Sequence, residues 1–410
     1  MIESFADLGA PFTARLAERN IIKPTDIQRR VIPLIASGES VLFRSATGTG
    51  KTFAYLLPML QHLLQQMLPQ HSEKNTSASA WPSLLILAPT YELCSQIKSE
   101  ADFLLKGIET SSLTAHLLIG QVSMNRQIET LKKDKPAIVV GNPGRILQLT
   151  RMGKLKFRGL QFLVLDEGDR LTADDLTGET GELIKMIQRA ADHGEAQDET
   201  QNAGLLAVSC SATLSAKSKE RIISLLQKNP KIVETEEQEI LRERIEHWAI
   251  FSEGRRKINT LRSFLAAAKP KKALIFSGRG EEAGNIVAQL QHHKISAAGL
   301  YGDMDKKGRK EAIDGFRSGK ISVLVSSDLA ARGLDISGIT YVIALDVSEN
   351  EETYIHRAGR TGRAGKRGVM VSIGDEEEMQ RLSRLEKRLG LTVYPKELYQ
   401  GKVAAPQEEF

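Results

Sequence analysis

The sequence predicts an α/β protein built from two consecutive domains, each a parallel sheet with helices on both faces. First, short apolar runs alternate with helical patterns, and strands buried on both faces read as continuous hydrophobic stretches. Second, the alternation stops and then restarts, which predicts a second sheet rather than one larger sheet. Third, a length of 410 residues exceeds one ordinary core and suits two domains of about 150 to 200 residues.

Five strands are predicted in each domain. In the first domain they are SVLFR (40–44), LLILA (84–88), AIVV (137–140), FLVL (162–165) and LLAVS (205–209). In the second they are WAIF (248–251), ALIF (273–276), VLV (323–325), YVIAL (341–345) and VMVSI (369–373). The charged run ETEEQE has little to bury, so the predicted domains are 1–236 and 237–390, followed by a short tail at 391–410.

Composition narrows the class of protein. Hydrophobic residues at 41% and charged residues at 26% predict a globular chain and exclude disordered and fibrous classes. The net charge of +5 permits an anionic partner without requiring one. Two cysteines, Cys94 and Cys210, exclude a disulfide framework and predict a reduced, cytoplasmic protein. We expect no secretory signal and no membrane span, because no window has the required apolar run.

A phosphate-binding loop is predicted directly after the first strand. The segment SATGTGKT follows SVLFR and precedes the helical pattern FAYLLPML. In this context backbone N–H groups surround the phosphates, Lys51 reaches the β and γ oxygens, and Thr52 can bind Mg²⁺. The predicted nucleotide-binding residues of the loop are Ser45, Ala46, Thr47, Gly48, Thr49, Gly50, Lys51 and Thr52.

Acidic residues follow the buried run FLVL, as Asp166, Glu167, Gly168 and Asp169. Alone, this segment is more typical of an acidic turn. Together with a phosphate-binding loop, Asp166 is predicted to hold Mg²⁺ and Glu167 to orient and deprotonate the attacking water. The predicted chemistry is nucleoside triphosphate hydrolysis.

Further motifs occur in a fixed order along the chain. They are Asp-Glu-Gly-Asp at 166–169, Ser-Ala-Thr at 211–213, SSDLAARGLD at 326–335 and HRAGRTGR at 356–363. With these motifs the chain resembles the DEAD-box ATP-dependent RNA helicases of helicase superfamily 2, over roughly residues 5–375. The resemblance implies two tandem RecA-like domains, ATP and Mg²⁺ as cofactors, and RNA as the partner.

The resemblance also implies roles for single residues. Arg360 and Arg363 match the arginine fingers that neutralise charge on the γ-phosphate, and Lys51 and Glu167 complete the catalytic set. Asp335 is expected to meet the ribose. The residues expected to couple the nucleotide to RNA are Asp169, Ser211, Thr213 and His356.

The segment KPTDIQ at 23–28 resembles the adenine-reading motif of the family. The amide of Gln28 can donate to N7 and accept from the N6 amine, which selects adenine over guanine. Thr25 belongs to the same motif. Phe5 is expected to stack on the base, and its alternative interpretation is a core phenylalanine of the first helix.

RNA binding is predicted through the sugar-phosphate backbone. Aromatic residues make up only 5% of the chain, which argues against base stacking as the main mode. The residues that match the family's RNA loops are Pro89, Thr90, Glu92, Gly120, Pro143, Gly144, Arg145, Ser277, Gly302, Arg309 and Ser327. The departures from the family in these loops are Tyr91 for arginine, Gln121 for glycine, Asn142 for threonine and Lys306 for glutamine.

Gly168 stands where the family has alanine. Losing the methyl group is expected mainly to loosen the backbone, by roughly 0.5 to 1 kcal/mol. The carboxylates on either side are expected to stay in register.

These patterns predict an ATP-dependent RNA helicase that couples ATP hydrolysis to binding of single-stranded RNA and to local duplex unwinding or RNP remodelling. It is expected to act as a monomer on single strands or short duplexes. One alternative is an ATP-gated RNA clamp that binds without productive unwinding. A second is a DNA helicase of the same superfamily, for which the sequence has neither a strand-separating insertion nor a zinc cluster.

Overall fold

The computed structural model divides into two compact units near residue 235, and each unit is described by itself. The predicted boundary between 236 and 237 falls outside the described residues and stays a proposal. None of the helices in the described parts is long and apolar enough to cross a bilayer. The described residues are 4–5, 10–45, 49–66, 81–108, 113–173, 176–192, 205–234, 241, 243–278, 280–301, 304–328, 336, 338–362 and 366–406.

The first unit contains a seven-stranded sheet in the order β3-β4-β2-β5-β6-β1-β7, with every neighbouring pair parallel. The strands are β1 (Val41–Arg44), β2 (Leu84–Leu87), β3 (Ala115–Leu118), β4 (Ile138–Gly141), β5 (Phe162–Asp166), β6 (Leu206–Ser211) and β7 (Lys231–Glu234). The helices are α1 (Ala10–Glu18), α2 (Asp26–Ala36), α3 (Lys51–Gln66), α4 (Tyr91–Leu105), α5 (Met124–Asp134), α6 (Pro143–Arg151), α7 (Gly168–Leu171), α8 (Thr177–Asp192) and α9 (Ala216–Leu226).

Alternate residues of the central strands supply two separate cores. In β2, Leu84 and Ile86 pack with helices α2, α3 and α4, whereas Leu85 and Leu87 pack with α6 and α8 on the other face. A strand buried on both faces needs apolar residues at every position, which explains the continuous run LLIL.

The second unit repeats this design with the order β10-β11-β9-β12-β13-β8-β14, again with parallel neighbours throughout. The strands are β8 (Ile245–Phe251), β9 (Ala273–Phe276), β10 (Ala297–Leu300), β11 (Val323–Ser326), β12 (Tyr341–Ala344), β13 (Gly368–Gly374) and β14 (Val393–Pro395). The helices are α10 (Lys257–Ala268), α11 (Gly280–His292), α12 (Lys306–Ser318), α13 (Glu351–Ala358) and α14 (Glu376–Leu389). The predicted fold class, two parallel sheets with helices on both faces, is confirmed.

The segment predicted as a short tail differs from the expectation. Strand β14 pairs with β8 and completes the second sheet. An antiparallel hairpin follows, formed by β15 (Glu397–Tyr399) and β16 (Lys402–Ala404). Its Leu398 and Val403 pack against the core formed by α10 and α11. Residues 391–406 therefore extend the second unit, and strands of three residues are too short to produce a readable sequence period.

Candidate active site

The predicted motifs of the first unit come together at one edge of its sheet. Because the sheet is parallel and each motif follows a strand, the motifs meet at the carboxyl edge, where α/β sheets bind their ligands. The neighbouring strands β1, β6 and β5 carry the nucleotide motifs, and the neighbouring strands β2, β4 and β3 carry the predicted RNA loops. Strand order thus separates the two functions along the same edge.

The described residues of the phosphate-binding loop form hydrogen bonds with one another. The Ser45 and Thr49 hydroxyl oxygens lie 2.6 Å apart, and Lys51 Nζ donates to the Ser45 carbonyl oxygen at 2.8 Å. Ser45 is buried, so its hydroxyl contributes a hydrogen bond inside the loop. Ala46, Thr47 and Gly48 lie outside the described residues.

Gln28 holds the end of this loop. Its Nε2 donates to the Gly50 carbonyl oxygen at 3.0 Å, and its Oε1 accepts from the Thr25 backbone N–H at 2.9 Å. Gly50 has φ +87°, and a Cβ there would lie 2.3 Å from Gln28 Nε2, so only glycine suits this position. Gln28 therefore joins the start of α2 to the phosphate-binding loop, and its predicted reading of adenine stays a prediction.

We expect Gln28→Glu to weaken ATP binding about tenfold or more and to lower the free energy of unfolding by about 1 to 3 kcal/mol, because a carboxylate oxygen would face the Gly50 carbonyl without a proton between them. Calorimetric ATP titration and thermal unfolding measure the two effects. Gln127→Glu is the control for ATP affinity, since Gln127 Nε2 donates in the same way to the Ile119 carbonyl, at 3.0 Å, away from the nucleotide loop. Its Oε1 accepts from Arg145 Nη1 at 3.2 Å, so its stability is not compared with that of Gln28→Glu. Equal ATP affinity in both variants would contradict the predicted role of Gln28 in ATP binding.

Phe5 is buried, with 3% of its surface exposed, and packs in the core of the first unit. This environment agrees with the alternative interpretation, a core phenylalanine. Stacking on a base would require the ring to leave that core, because no ring face is open to a ligand.

Two side chains that the motifs did not identify hold both oxygens of Asp166. The Tyr55 hydroxyl donates to Asp166 Oδ2 at 2.8 Å, and the Cys210 thiol donates to Oδ1 at 3.2 Å. Burial raises the pKa of Tyr55 and of Cys210 well above their usual values, so both groups keep the proton they donate. Strand register could have indicated Cys210, which pairs directly with Asp166 across β5 and β6.

The predicted Mg²⁺ ligands fit that ion. Thr52 lies three residues before Tyr55 in α3, and the Tyr55 hydroxyl contacts the second predicted ligand, Asp166. Both offer oxygen atoms, and Mg²⁺ usually takes only one or two protein ligands beside phosphate oxygens and water. The ion would therefore be shared between these residues and a bound triphosphate.

Glu167 occupies a strained backbone conformation. Its φ of 55° and ψ of 52° lie in the left-handed region, which costs a residue other than glycine about 1 to 2 kcal/mol. The turn directs the chain from β5 into α7, and the Glu167 carbonyl accepts from the N–H groups of Arg170 and Leu171. Such strain is typical of functional positions, and the catalytic role of Glu167 stays a prediction.

Three of the four predicted coupling residues form one buried group. Asp169 N–H donates to Ser211 Oγ at 3.0 Å, and the Thr213 hydroxyl donates to Asp169 Oδ2 at 2.5 Å. The other oxygen, Oδ1, accepts from the Arg170 N–H at 2.9 Å. The acidic motif after β5 and the Ser-Ala-Thr motif after β6 are thus physically linked. The fourth residue, His356, belongs to the second unit.

The surroundings of Gly168 do not fit the expectation that the missing methyl group mainly loosens the backbone. A Cβ at Gly168 would lie 2.2 Å from Ser209 Oγ, 3.3 Å from Ile222 Cδ1 and 3.6 Å from Ser209 Cβ. The Ser209 hydroxyl therefore occupies the space that an alanine methyl would fill. Both residues are buried, so glycine at 168 and serine at 209 complement each other in volume.

We expect Gly168→Ala to destabilise the protein by about 1 to 3 kcal/mol, because the added methyl group overpacks a filled site. Ser209→Ala removes the clashing oxygen and leaves a normal contact of 3.6 Å between the two β carbons. The double variant is therefore expected to regain most of the lost stability in urea unfolding. Additive losses in the double variant would show that the two positions are not coupled.

Several predicted RNA residues of the first unit already have structural partners. Thr90 Oγ1 accepts from the Leu93 N–H and caps α4. Arg145 donates to the carbonyl oxygens of Gly120 at 2.9 Å and Val122 at 3.1 Å, so its guanidinium joins the loops after β4 and β3. Pro143 and Gly144 begin α6 at the same edge, and Glu92 lies in the first turn of α4. Their RNA contacts stay predictions.

In the second unit, Arg357 of the HRAGRTGR motif bonds several groups, and it was not assigned a role from the sequence. Its Nε and Nη2 donate to the two carboxylate oxygens of Asp328 at 2.6 Å each. Nη1 donates to the Asp346 carbonyl at 2.7 Å and Nη2 to Asp346 Oδ2 at 3.0 Å. The guanidinium also lies over the Phe276 ring, 5.2 Å from its centre. Arg357 thus joins the ends of β9, β11 and β12.

The remaining predicted residues of the second unit are placed as follows. Arg360 and Ser277 are buried, and Ser327 follows β11 at the carboxyl edge. Arg309 lies in α12. Gly302, Asp335 and Arg363 lie outside the described residues.

Comparison with known families assigns both units. Residues 25–222 match the profile described as DEAD/DEAH box helicase, and residues 256–365 match the profile described as helicase conserved C-terminal domain.

Two curated proteins are similar over almost the whole chain. DEAD-box ATP-dependent RNA helicase CshC of Bacillus cereus is 34% identical over 95% of this chain and 92% of its own length. DEAD-box ATP-dependent RNA helicase 47, mitochondrial, of Arabidopsis thaliana is 31% identical over 99% of this chain and 79% of its own length.

Two solved structures share the fold. Dbp5 of S. cerevisiae bound to RNA and ADP BeF3 has a TM-score of 0.79 at 24% identity, covering 96% of each chain. Mss116p bound to single-stranded RNA and AMP-PNP has a TM-score of 0.81 at 23% identity, covering all of this chain and 81% of that one. The family profiles and the curated relatives together show that the chain belongs to the DEAD-box helicase family.

Proposed function

We propose that the protein is an ATP-dependent RNA helicase that couples ATP hydrolysis to single-stranded RNA binding and to local duplex unwinding or RNP remodelling. The observation that carries the proposal is the direct link between the acidic motif and the Ser-Ala-Thr motif, through Asp169, Ser211 and Thr213. Relatives named as ATP-dependent RNA helicases support the same activity.

The chain's own groups divide the chemistry between them. Lys51 would leave the Ser45 carbonyl, which it now contacts at 2.8 Å, and turn to the β and γ phosphate oxygens. Thr52 and Asp166 would hold Mg²⁺, which neutralises phosphate charge when bound. Glu167 would orient the attacking water and accept its proton.

The hydrogen bonds of Asp166 support its role. Tyr55 and Cys210 approach its two oxygens from within the protein, so the carboxylate is held in one orientation before a ligand arrives. Preorganisation of this kind avoids the cost of ordering a ligand group during catalysis.

Arg360, Arg363 and Asp335 keep their proposed roles toward the γ-phosphate and the ribose. His356 keeps its proposed role in coupling. The proposed domains are 1–236 and a second domain that starts at 237. The protein is also proposed to act as a monomer. A cytoplasmic location is supported by two buried cysteines without a disulfide.

The test combines two assays on the full chain. ATP turnover is measured with and without single-stranded RNA, and strand displacement is measured with a short RNA duplex. We expect RNA to raise turnover and ATP to release the strand. Binding that depends on ATP without strand release would identify the clamp alternative, and equal stimulation by DNA would favour the DNA helicase alternative.

A further inference from the structure

A row of cations lies at the edge of the second sheet opposite the motifs. We call it the amino edge, because its residues precede the strands rather than follow them. All of its members are exposed. They are Arg244 before β8, Lys271 before β9, Lys294 before β10, Lys320 before β11, and Lys366 and Arg367 before β13.

Hydrogen bonds between the segments show that the entries to these strands lie side by side. Gly368 N–H donates to the Arg244 carbonyl, which connects the entries to β13 and β8. Thr340 N–H donates to the Lys272 carbonyl at the entry to β9, and the Ser296 hydroxyl donates to the Lys320 carbonyl at 2.8 Å. With strands about 4.8 Å apart, the row from β10 to β8 extends over about 24 Å.

Carboxylates are scarce around this row. Five segments that supply the edge and its strands contain no Asp or Glu, namely 254–280, 283–302, 315–327, 336–345 and 353–374. In the part of the chain that the structure describes, none of the six cations forms an ion pair with a carboxylate. The nearest acids in sequence are Glu243 and Glu246 beside β8, and Asp314 in α12. The positive charge is therefore not neutralised by the unit itself.

A hollow lies beside the row. It has a volume of about 490 Å³ and is lined by Arg262, Lys269, Pro270, His293 and Ser322, among others. Cations and a hydroxyl group around an open concavity suit a sugar-phosphate group, because phosphate oxygens accept from both.

We propose that the amino edge binds the backbone phosphates of RNA that extends beyond the strand held by the helicase motifs. This proposal rests on the RNA-dependent function proposed above. It specifies the substrate class of that function as a single strand that continues into a structured RNA segment. Ser277 and Ser327 follow the carboxyl ends of β9 and β11, one strand length of about 13 Å away from the amino edge. A short single strand at the motifs therefore does not reach the row, whereas a longer RNA does.

The physical argument is electrostatic. Unpaired lysines and arginines in a row release counterions when they contact phosphates, so they add affinity without reading sequence. A helicase with this edge would bind structured RNA more tightly than an isolated strand. Its preference for structured RNA over an isolated strand would decrease as salt concentration rises.

The experiment compares three full-length proteins: the parent, the variant Lys271→Gln with Lys294→Gln and Lys320→Gln, and a control. The control is Arg384→Gln with Lys387→Gln and Arg388→Gln, which removes the same charge from exposed positions of α14 in the same unit. Affinity is measured against salt for a short single strand and for the same strand joined to a hairpin.

We expect the amino-edge variant to lose about tenfold in affinity for the hairpin RNA and to show a salt slope shallower by about two. Its affinity for the short strand and its RNA-stimulated ATP turnover on that strand should stay within twofold of the parent, as should every property of the control. Equal hairpin affinity in parent and variant at every salt concentration would overturn the inference. A parent without any RNA stimulation would instead refute the proposed function, while the binding comparison would still test the edge.

Discussion

Glu167→Gln is expected to reduce ATP turnover by about 10² to 10⁴-fold, the range that a positioned general base contributes. The amide has nearly the same shape as the carboxylate but does not accept a proton from the attacking water. Nucleotide affinity should change little, because the residues proposed to surround the triphosphate, Lys51 and Thr52, are untouched.

The substitution also keeps the backbone intact. Glu167 already holds a left-handed conformation, and its carbonyl accepts the N–H groups of Arg170 and Leu171 in α7. Gln has the same backbone demands, so the thermal unfolding midpoint should stay close to that of the parent.

Steady-state ATP hydrolysis with saturating RNA and a separate nucleotide-binding titration check this result. Glu220→Gln is the control, since Glu220 is an exposed carboxylate on α9 that is not among the predicted site residues. Turnover within tenfold of the parent would place the base at another residue.

The strands show what the sequence could predict. Within the two seven-stranded sheets, the ten predicted strands all have neighbours on both sides. The four strands of these sheets that were not predicted, β3, β7, β10 and β14, are their edges. Central strands are buried on both faces and must be apolar throughout. An edge strand such as β7, with three of four residues exposed, has no such requirement and therefore has no such signature.

The sequence indicates the motif residues but not the contacts that support them. Lys51, Asp166 and Glu167 are recognisable because phosphate and metal chemistry demands those residue types after a strand. Tyr55 and Cys210 read as ordinary core residues, since only the three-dimensional register places them against Asp166. The complementary volumes of Gly168 in α7 and Ser209 in β6 likewise become visible only when the two segments are packed together.

Arg357→Ala is the substitution expected to cost the most stability, about 3 to 5 kcal/mol, because it removes one partner of a buried ion network and leaves the others unpaired. Arg357 is 3% exposed and is the only described cation that bonds both Asp328 and Asp346. The variant would also lose the guanidinium contact with the Phe276 ring.

The loss of stability in Arg357→Ala should depend on pH in a defined direction. Burial raises the pKa of Asp346, and Arg357 opposes that rise. Without Arg357 the pKa rises further, so the folded protein favours the protonated form of Asp346. Stability from that proton is present at low pH and is lost as pH rises through the folded-state pKa. The difference in unfolding free energy between parent and variant should therefore be larger at pH 8 than at pH 5.

Chemical unfolding at the two pH values measures this difference, and Arg381→Gln provides the control. Arg381 pairs with Glu377 one helical turn away, and that carboxylate is 73% exposed, so its loss should cost less than about 1 kcal/mol at either pH. If Arg357→Ala cost no more than the control, the network would be incidental to folding. If the cost were large but independent of pH, packing on Phe276 rather than the unpaired carboxylates would be its source.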